Sequence, residues 1–158
     1  MAAIPTKKTS PPVHLRNEHP RAWQRMLSGR RLDILDPSPM DIEIEDIAHG
    51  LARVSRWNGQ TKGKFPLSVA QHSVLVEKLL HQNAPKLDQK WRLAALLHDS
   101  PEYVIGDMIT PFKYVLGGIY RDIETVSKKR FTSGLGCPLG YLIMSPRVLN
   151  EQTVWQRG

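Results

Sequence analysis

Four ionisable side chains are concentrated in one short segment of the chain. His98 and Asp99 follow the apolar run "RLAALL", and Glu102 and Asp107 lie within the next eight residues. Placing these groups at the end of a buried helix costs on the order of several kcal/mol unless something such as a bound cation compensates. Positions four residues apart share a helix face, so Glu102 lies near His98 if the helix continues through Pro101. We expect the groups to converge in either case.

A second histidine comes from an earlier segment, "SVAQHSVLVEKLLHQN". His72 precedes Val76 by four residues and Leu79 by seven, which places its imidazole on the apolar face of a predicted helix. A single inward histidine is usually a core residue, but two of them beside an aspartate favour metal ligation. Such nitrogen and oxygen donors suit Mn²⁺, Co²⁺, Fe²⁺, Zn²⁺ or Mg²⁺. We therefore predict a divalent metal site formed by His72, His98 and Asp99.

The elements that position these residues are predicted to be helices. Ile47, Leu51 and Val54 recur at helical spacing, and this first helix should stop near the turn dipeptide Asn58-Gly59. The alternation of polar and apolar residues at 41–44 before it allows a very short strand or an extended entry.

Further start and stop signals define three more helices. Ser68 and Gln71 form a capping-box pattern at the start of the second helix, and Asp88 is a candidate N-cap for the third. Gly106 and then Thr110-Pro111 break the chain, and "YRDIETVSKKRF" predicts a fourth helix. No convincing hairpin or repeat is present, so the predicted fold class is all-α.

Length and composition indicate one domain. The chain has 158 residues, and residues 1–20 are basic, rich in proline and without apolar periodicity. We expect a disordered tail there and a single helical domain over 21–158. No apolar run is long enough to span a membrane, and the N-terminus lacks a secretory h-region. Together with the single cysteine, Cys137, this predicts a soluble, cytoplasmic protein without a membrane partner.

The net charge of +7 is unevenly distributed. Residues 1–40 and 110–158 each hold seven Lys/Arg and three acids, whereas residues 41–109 hold eight bases and nine acids. An acidic centre between basic flanks suits a cation site that serves an anionic substrate, although solvated basic tails are the commoner explanation. No recognition motif accompanies the charge, so we expect no nucleic-acid partner.

Three motifs carry a resemblance to a known family. "QHS" at 71–73, "LLHDSPE" at 96–102 and "GDMITPFKY" at 106–114 resemble the HD-domain metal-dependent phosphohydrolases, particularly the small bacterial 5'-deoxynucleotidases. Arg56-Trp57, fifteen residues before His72, resembles the Arg-Trp pair of that group. The similarity covers roughly residues 28 to 132 and implies an HD-domain helical bundle.

The resemblance also implies roles for individual residues. The metal ligands would be His72, His98 and Asp99, as the spacing already indicates. Glu102 would orient or deprotonate the attacking water, and Asp107 would assist protonation of the leaving oxygen or hold the sugar. The phosphate contacts would be Arg56 and Lys113, with Trp57 packing against the nucleoside.

Simpler readings of several of these residues remain open. Asp107 follows a glycine and is equally well a turn or capping residue. Lys113 is equally well a solvated surface charge, and Trp57 is equally well a residue that packs in the core. His49 is interpreted as structural or as a neighbour of the ligands. His14, His19 and His81 are left out of the site.

The chain departs from the family pattern near its C-terminus. The resemblance implies a further aspartate ligand from a late helix, but no aspartate follows Asp122. We therefore expect an incomplete, truncated or frame-shifted C-terminal part that weakens metal binding and stability, and we do not expect Glu151 to replace the ligand.

These observations predict a phosphohydrolase that acts on (deoxy)nucleoside 5'-monophosphates. The alternatives are a deoxynucleoside triphosphohydrolase on the same scaffold and a degenerate HD module that binds nucleotides without turnover. The resemblance also suggests a possible homodimer.

Overall fold

The computed structural model describes residues 22–135. Within this range the chain is a bundle of six α-helices with one small sheet and two short 3₁₀ turns, which confirms the predicted all-α class. The predictions for the tail at 1–20 and for the segment that contains Glu151 lie outside the described residues. The helices are α1 (Ile44–Leu51), α2 (Val69–Asn83), α3 (Gln89–Leu96), α4 (Glu102–Ile105), α5 (Thr110–Leu116) and α6 (Gly118–Gly134).

A short hairpin precedes the bundle, so the expectation of no hairpin was wrong. Strands β1 (Trp23–Arg25) and β2 (Arg31–Asp33) pair antiparallel. Each has three residues, and of these only Leu32 is buried, so the segment is too short to show an alternating pattern. The turn is fastened to α1 because Asp46 accepts hydrogen bonds from the backbone nitrogen and the hydroxyl of Ser28, at 2.9 and 2.6 Å.

Helix α1 ends at Leu51 rather than near Asn58-Gly59 as predicted. The chain leaves the helix because residues 54–56 pair with the segment before α2. The carbonyl of Val54 accepts from the backbone nitrogen of Val69 at 2.9 Å, and the backbone nitrogen of Arg56 donates to Leu67 at 2.8 Å. These bonds bring Arg56 beside the start of α2. Of the residues at 41–44, Ile42 and Glu43 form an extended entry rather than a strand, between a 3₁₀ turn that ends at Asp41 and the start of α1.

Helices α2 and α3 begin where the sequence predicts. The hydroxyl of Ser68 accepts from the backbone nitrogen of Gln71 at 3.2 Å, and the Gln71 side chain accepts from the Ser68 nitrogen at 2.9 Å. Asp88 accepts from the backbone nitrogen of Lys90 at 2.9 Å and caps α3. The two helices pack together through a buried apolar cluster of Val76, Leu80, Ala94 and Ala95.

The helix that precedes the His-Asp pair does not continue through the proline. Helix α3 ends at Leu96, residues 97–101 form turns, and Pro101 occupies the N-cap of α4. Gly106 ends α4 with a φ of +77°, which confirms the predicted break.

Helix α5 begins at Thr110-Pro111, where only a break was predicted, because proline is tolerated in the first turn of a helix. The predicted fourth helix is α6, and it is longer at both ends. The main core lies between the hairpin, α1, α4 and α6. Its buried members are Met26, Leu32, Ile42, Ile47, Leu51, Val69, Leu97, Tyr103 and Phe131.

The close approach of α1 and α4 gives a first testable prediction. A Cβ atom at Gly50 would lie 2.7 Å from the Cβ of Tyr103, where no real pair of such atoms fits. Because the neighbour is at the backbone, the helices must separate, and we expect Gly50→Ala to lower the free energy of unfolding by about 1 to 3 kcal/mol in urea titrations. Gly118→Ala is the control, since nothing lies within 4 Å of its Cβ position. Equal stability of the two variants would contradict this packing.

Within residues 22–135, none of the helices is both long and apolar enough to span a bilayer.

Candidate metal centre and active site

Two histidines and an aspartate meet at one point. His72 lies on the inward face of α2 and is buried, while His98 and Asp99 lie in the turns that follow α3. The Nε2 atoms of the two histidines are 3.2 Å apart. Oδ2 of Asp99 is 3.0 Å from Nε2 of His98 and 3.5 Å from Nε2 of His72. Three donor atoms from two parts of the chain therefore face one another.

The orientation of His98 leaves one nitrogen for a ligand. Its Nδ1 lies 2.7 Å from the carbonyl oxygen of Ala95, and a carbonyl only accepts, so Nδ1 carries a proton and Nε2 faces the cluster. A backbone carbonyl in this position is a common way to orient a metal-binding histidine.

The separations of the donor atoms suit one divalent ion. Ligands at about 2.1 Å from a metal are separated by ~3.0 Å at right angles and by ~3.4 Å in a tetrahedron. The observed range of 3.0 to 3.5 Å matches both geometries. The residues present therefore fit a small divalent cation, and their donor set of two nitrogens and one carboxylate does not select one metal.

The protonation of His72 and Asp99 also suits ligation. Burial, and then the charge of Arg56, lower the pKa of His72 to about 4, so its imidazole is neutral at pH 7. Burial would raise the pKa of Asp99, but the charges of His98 and Arg56 outweigh it and hold that pKa below its usual range. A metal ligand must be deprotonated, and these two groups already are.

Arg56 lies at the centre of the acidic residues. Its Nη1 atom is 3.4 Å from Asp99, 3.6 Å from Glu102 and 3.2 Å from Asp107. The arginine side chain is 6% exposed, and the exposed fractions of these carboxylates are 13%, 5% and 6%. One buried guanidinium therefore compensates three carboxylates that are 43 to 51 residues distant in sequence.

Asp107 is held by both of its oxygens. Oδ1 faces Arg56, and Oδ2 accepts from the backbone nitrogen of Trp57 at 2.9 Å. Trp57 and Asn58 have positive φ values of 49° and 54°, a backbone conformation that residues other than glycine adopt at a cost in free energy. The bond to Asp107 helps to hold this turn, so Asp107 is more than the local turn residue that the sequence alone allowed.

Glu102 carries the most perturbed carboxyl group of the site. Burial, followed by the charges of Asp99 and Asp107, raises its pKa to about 9, against the opposing charge of Arg56. Its buried Oε2 atom faces Nη1 of Arg56 at 3.6 Å but accepts no hydrogen bond from the residues that the structure describes. A carboxyl group in this state favours either a proton or a nearby cation.

Lys113 is placed next to the site rather than among these carboxylates. Its ammonium lies 3.0 Å from Glu124 on α6, which also pairs with Lys128 at 3.3 Å. Lys113 is still close enough for its charge to lower the pKa of Glu102. Trp57 is half-buried, with its ring 5.6 Å from the guanidinium carbon of Arg56.

The structure thus brings seven of the eight predicted site residues together and places Lys113 beside them. Their individual roles stay predictions. Sequence reasoning missed Glu124 and the buried Tyr120, which accompany Lys113 and lie on α6. No motif marks them, and only the packing of α5 on α6 identifies them. His81 is exposed and His49 half-buried, and neither belongs to the donor cluster.

A mainly helical domain in which an H…HD set forms a cluster of potential metal donors is characteristic of the HD class. The model of the family described as "5'-deoxynucleotidase YfbR-like" matches residues 46–140, and the chain belongs to this family. The predicted resemblance is therefore confirmed. One relative, an "uncharacterized protein" of Rhodobacter capsulatus, is 67% identical over 104 residues, which are 66% of this chain and 53% of that protein. The chain thus spans about half the length of the curated relative it matches.

Proposed function

We propose that this protein is a metal-dependent phosphohydrolase that removes the phosphate from (deoxy)nucleoside 5'-monophosphates. The main support is the meeting of three metal donors, His72, His98 and Asp99, with a buried carboxyl group, Glu102, whose Oε2 accepts no hydrogen bond from residues 22–135. Membership of the YfbR-like family supports the hydrolytic class. A divalent ion held by the three donors, whether Mn²⁺, Co²⁺, Mg²⁺, Fe²⁺ or Zn²⁺, would lower the pKa of water and neutralise phosphoryl charge.

The carboxylates have separate tasks in this proposal. Glu102 orients the attacking water and takes its proton once a nearby cation favours its ionised form, because its Oε2 accepts no hydrogen bond from the described residues and its raised pKa makes the ionised form a better base. Asp107, held by Arg56 and Trp57, assists protonation of the leaving oxygen or holds the sugar. Trp57 packs against the nucleoside, and Arg56 and Lys113 contribute positive charge on the phosphate side.

The charge of the site favours a monophosphate over a triphosphate. Arg56 faces three carboxylates and Lys113 pairs with Glu124. A triphosphate carries about two more negative charges than a monophosphate, and cations that are already paired compensate them poorly. This favours the first hypothesis over a deoxynucleoside triphosphohydrolase.

Product analysis with a matched variant tests the proposal. Purified protein is incubated with Mn²⁺, Co²⁺ or Mg²⁺ and a panel of dNMPs, NMPs and dNTPs, and the release of phosphate and triphosphate is measured. We expect phosphate from monophosphates only, and at least a hundredfold loss of rate in Glu102→Gln. Glu45→Gln, a change at an exposed carboxylate, should leave the rate unchanged.

The same assay separates the alternatives. Release of triphosphate from dNTPs would favour the triphosphohydrolase, and nucleotide binding without release would favour a degenerate module. The nucleotide partner, the cytoplasmic location, the absence of a nucleic-acid partner and the possible homodimer stay predictions.

A further inference from the structure

Tyr120 has a buried hydroxyl that forms no hydrogen bond with any other residue in the described range, 22–135. The residue is 9% exposed, and its phenolic oxygen is buried without a hydrogen-bond partner. Such a group costs roughly 1 to 3 kcal/mol of desolvation, and phenylalanine would fill the same space without that cost. Tertiary packing therefore explains the ring but not the hydroxyl.

The surroundings of Tyr120 connect it to the active site. The ammonium of Lys113 lies 5.5 Å from the centre of the Tyr120 ring, and the same ammonium pairs with Glu124, one turn further along α6. Burial, and then the charges of Glu124, Glu102 and Asp107, raise the pKa of Tyr120 above its usual value. The hydroxyl therefore lies within electrostatic reach of the carboxylates of the site and stays protonated at neutral pH, as a donor.

We infer that the Tyr120 hydroxyl donates a hydrogen bond to a phosphate oxygen of the bound phosphomonoester, beside the ammonium of Lys113. The inference rests on the proposed function and adds a substrate contact to it. A buried, protonated phenol that donates to no group within residues 22–135 is suited to an anionic oxygen that arrives with the substrate. Lys113 beside it makes the phosphate, rather than the sugar or the base, the favoured partner.

Tyr103 provides a matched control. It too has a buried hydroxyl without a hydrogen-bond partner. Its ring packs on Phe131 at 5.5 Å in the main core, and the charge that raises its pKa, after burial, is that of Asp46 on α1. Removing the Tyr103 hydroxyl deletes the same atom from a residue of the main core.

The test measures binding rather than turnover. Protein loaded with Mn²⁺ is titrated calorimetrically with inorganic phosphate, thymidine 5'-monophosphate and thymidine. We expect Tyr120→Phe to weaken binding of phosphate and of the monophosphate by about tenfold, the effect of one hydrogen bond to a charged acceptor, and to leave thymidine unaffected. Tyr103→Phe should bind all three as the wild type does. Urea unfolding of Tyr120→Phe should show a fold at least as stable as the wild type.

Several results would overturn the inference. The first is equal binding of phosphate by Tyr120→Phe and the wild type, which includes no measurable binding by either. The second is a loss of thymidine binding in Tyr120→Phe equal to its loss of phosphate binding. The third is a clear loss of stability in Tyr120→Phe. Its failure is distinct from that of the proposed function. If the wild type releases phosphate but Tyr120→Phe binds inorganic phosphate as tightly as the wild type does, the proposed function stands and the hydrogen bond from Tyr120 is rejected. If Tyr120→Phe binds phosphate more weakly but the wild type releases none from any nucleotide, the hydrogen bond stands and the proposed function is rejected.

Discussion

Replacing Arg56 by alanine is expected to lower the free energy of unfolding of the metal-free protein by about 3 to 5 kcal/mol, the usual cost of removing one partner from a buried ion pair. Its Nη1 atom lies within 3.6 Å of Asp99, Glu102 and Asp107. Without the guanidinium, the charges of Asp99 and Asp107 are left uncompensated in a buried setting. Urea titrations in the presence of a chelator measure the loss.

Controls separate this effect from the loss of any arginine. Arg130 pairs with Asp36 at 3.1 Å, but both side chains are substantially exposed, so Arg130→Ala should cost less than about 1 kcal/mol. The deficit of Arg56→Ala should also shrink as the pH falls from 7 towards 5, because the uncompensated carboxylates then bind protons. A deficit like that of Arg130→Ala would contradict the central position of Arg56.

Replacing Glu102 by glutamine is expected to stabilise the metal-free protein at alkaline pH, although it removes a proposed catalytic group. The pKa of Glu102 is raised from 4.5 to about 9. Between these values the folded chain keeps the proton that the unfolded chain loses, so stability falls as the pH rises. Glutamine resembles the protonated acid and cannot ionise. We expect the free energy of unfolding of Glu102→Gln to exceed that of the wild type by a margin that grows by about 1.4 kcal/mol per pH unit as the pH rises towards 9.

The pH range for this comparison is set by His72. Its lowered pKa makes stability rise with pH between about 4 and 6.5, opposite to the effect of Glu102, so measurements should run from pH 6.5 to 9. Saturation with Mn²⁺ should reduce the gap, since a nearby cation favours the ionised carboxylate. Glu45→Gln controls for the loss of one negative charge. If the free energy of unfolding depends on pH in the same way in Glu102→Gln and in the wild type, the raised pKa of Glu102 is contradicted.

The sequence predicted those features that are encoded by neighbouring residues. The capping box at Ser68 and the N-cap at Asp88 are local hydrogen bonds, so the starts of α2 and α3 follow from a few adjacent positions. The inward position of His72 follows from helical spacing alone. The donor cluster was predictable because its members lie on, or directly after, these two helices.

Features that depend on distant contacts were missed. Helix α1 ends early because Val54 and Arg56 bond to residues just before and at the start of α2, and nothing in the segment from Ile47 to Asn58 indicates this. The hairpin is held by Asp46, whose partner Ser28 is 18 residues away.

The charges around Arg56 follow the same rule. The motifs identified each carboxylate, but the tertiary fold is what places Asp99, Glu102 and Asp107 around one guanidinium. The pairing of Lys113 with Glu124 likewise depends on how α5 packs on α6.

Titration of the metal-free protein with Co²⁺, followed by its visible absorption, tests the central claim most directly. We predict uptake of one ion per chain, loss of the absorption change in His98→Ala, and unchanged uptake in His81→Ala, because His81 is exposed and outside the donor cluster. Absence of uptake by the wild type, or uptake that survives in His98→Ala, would contradict a metal site built from His72, His98 and Asp99.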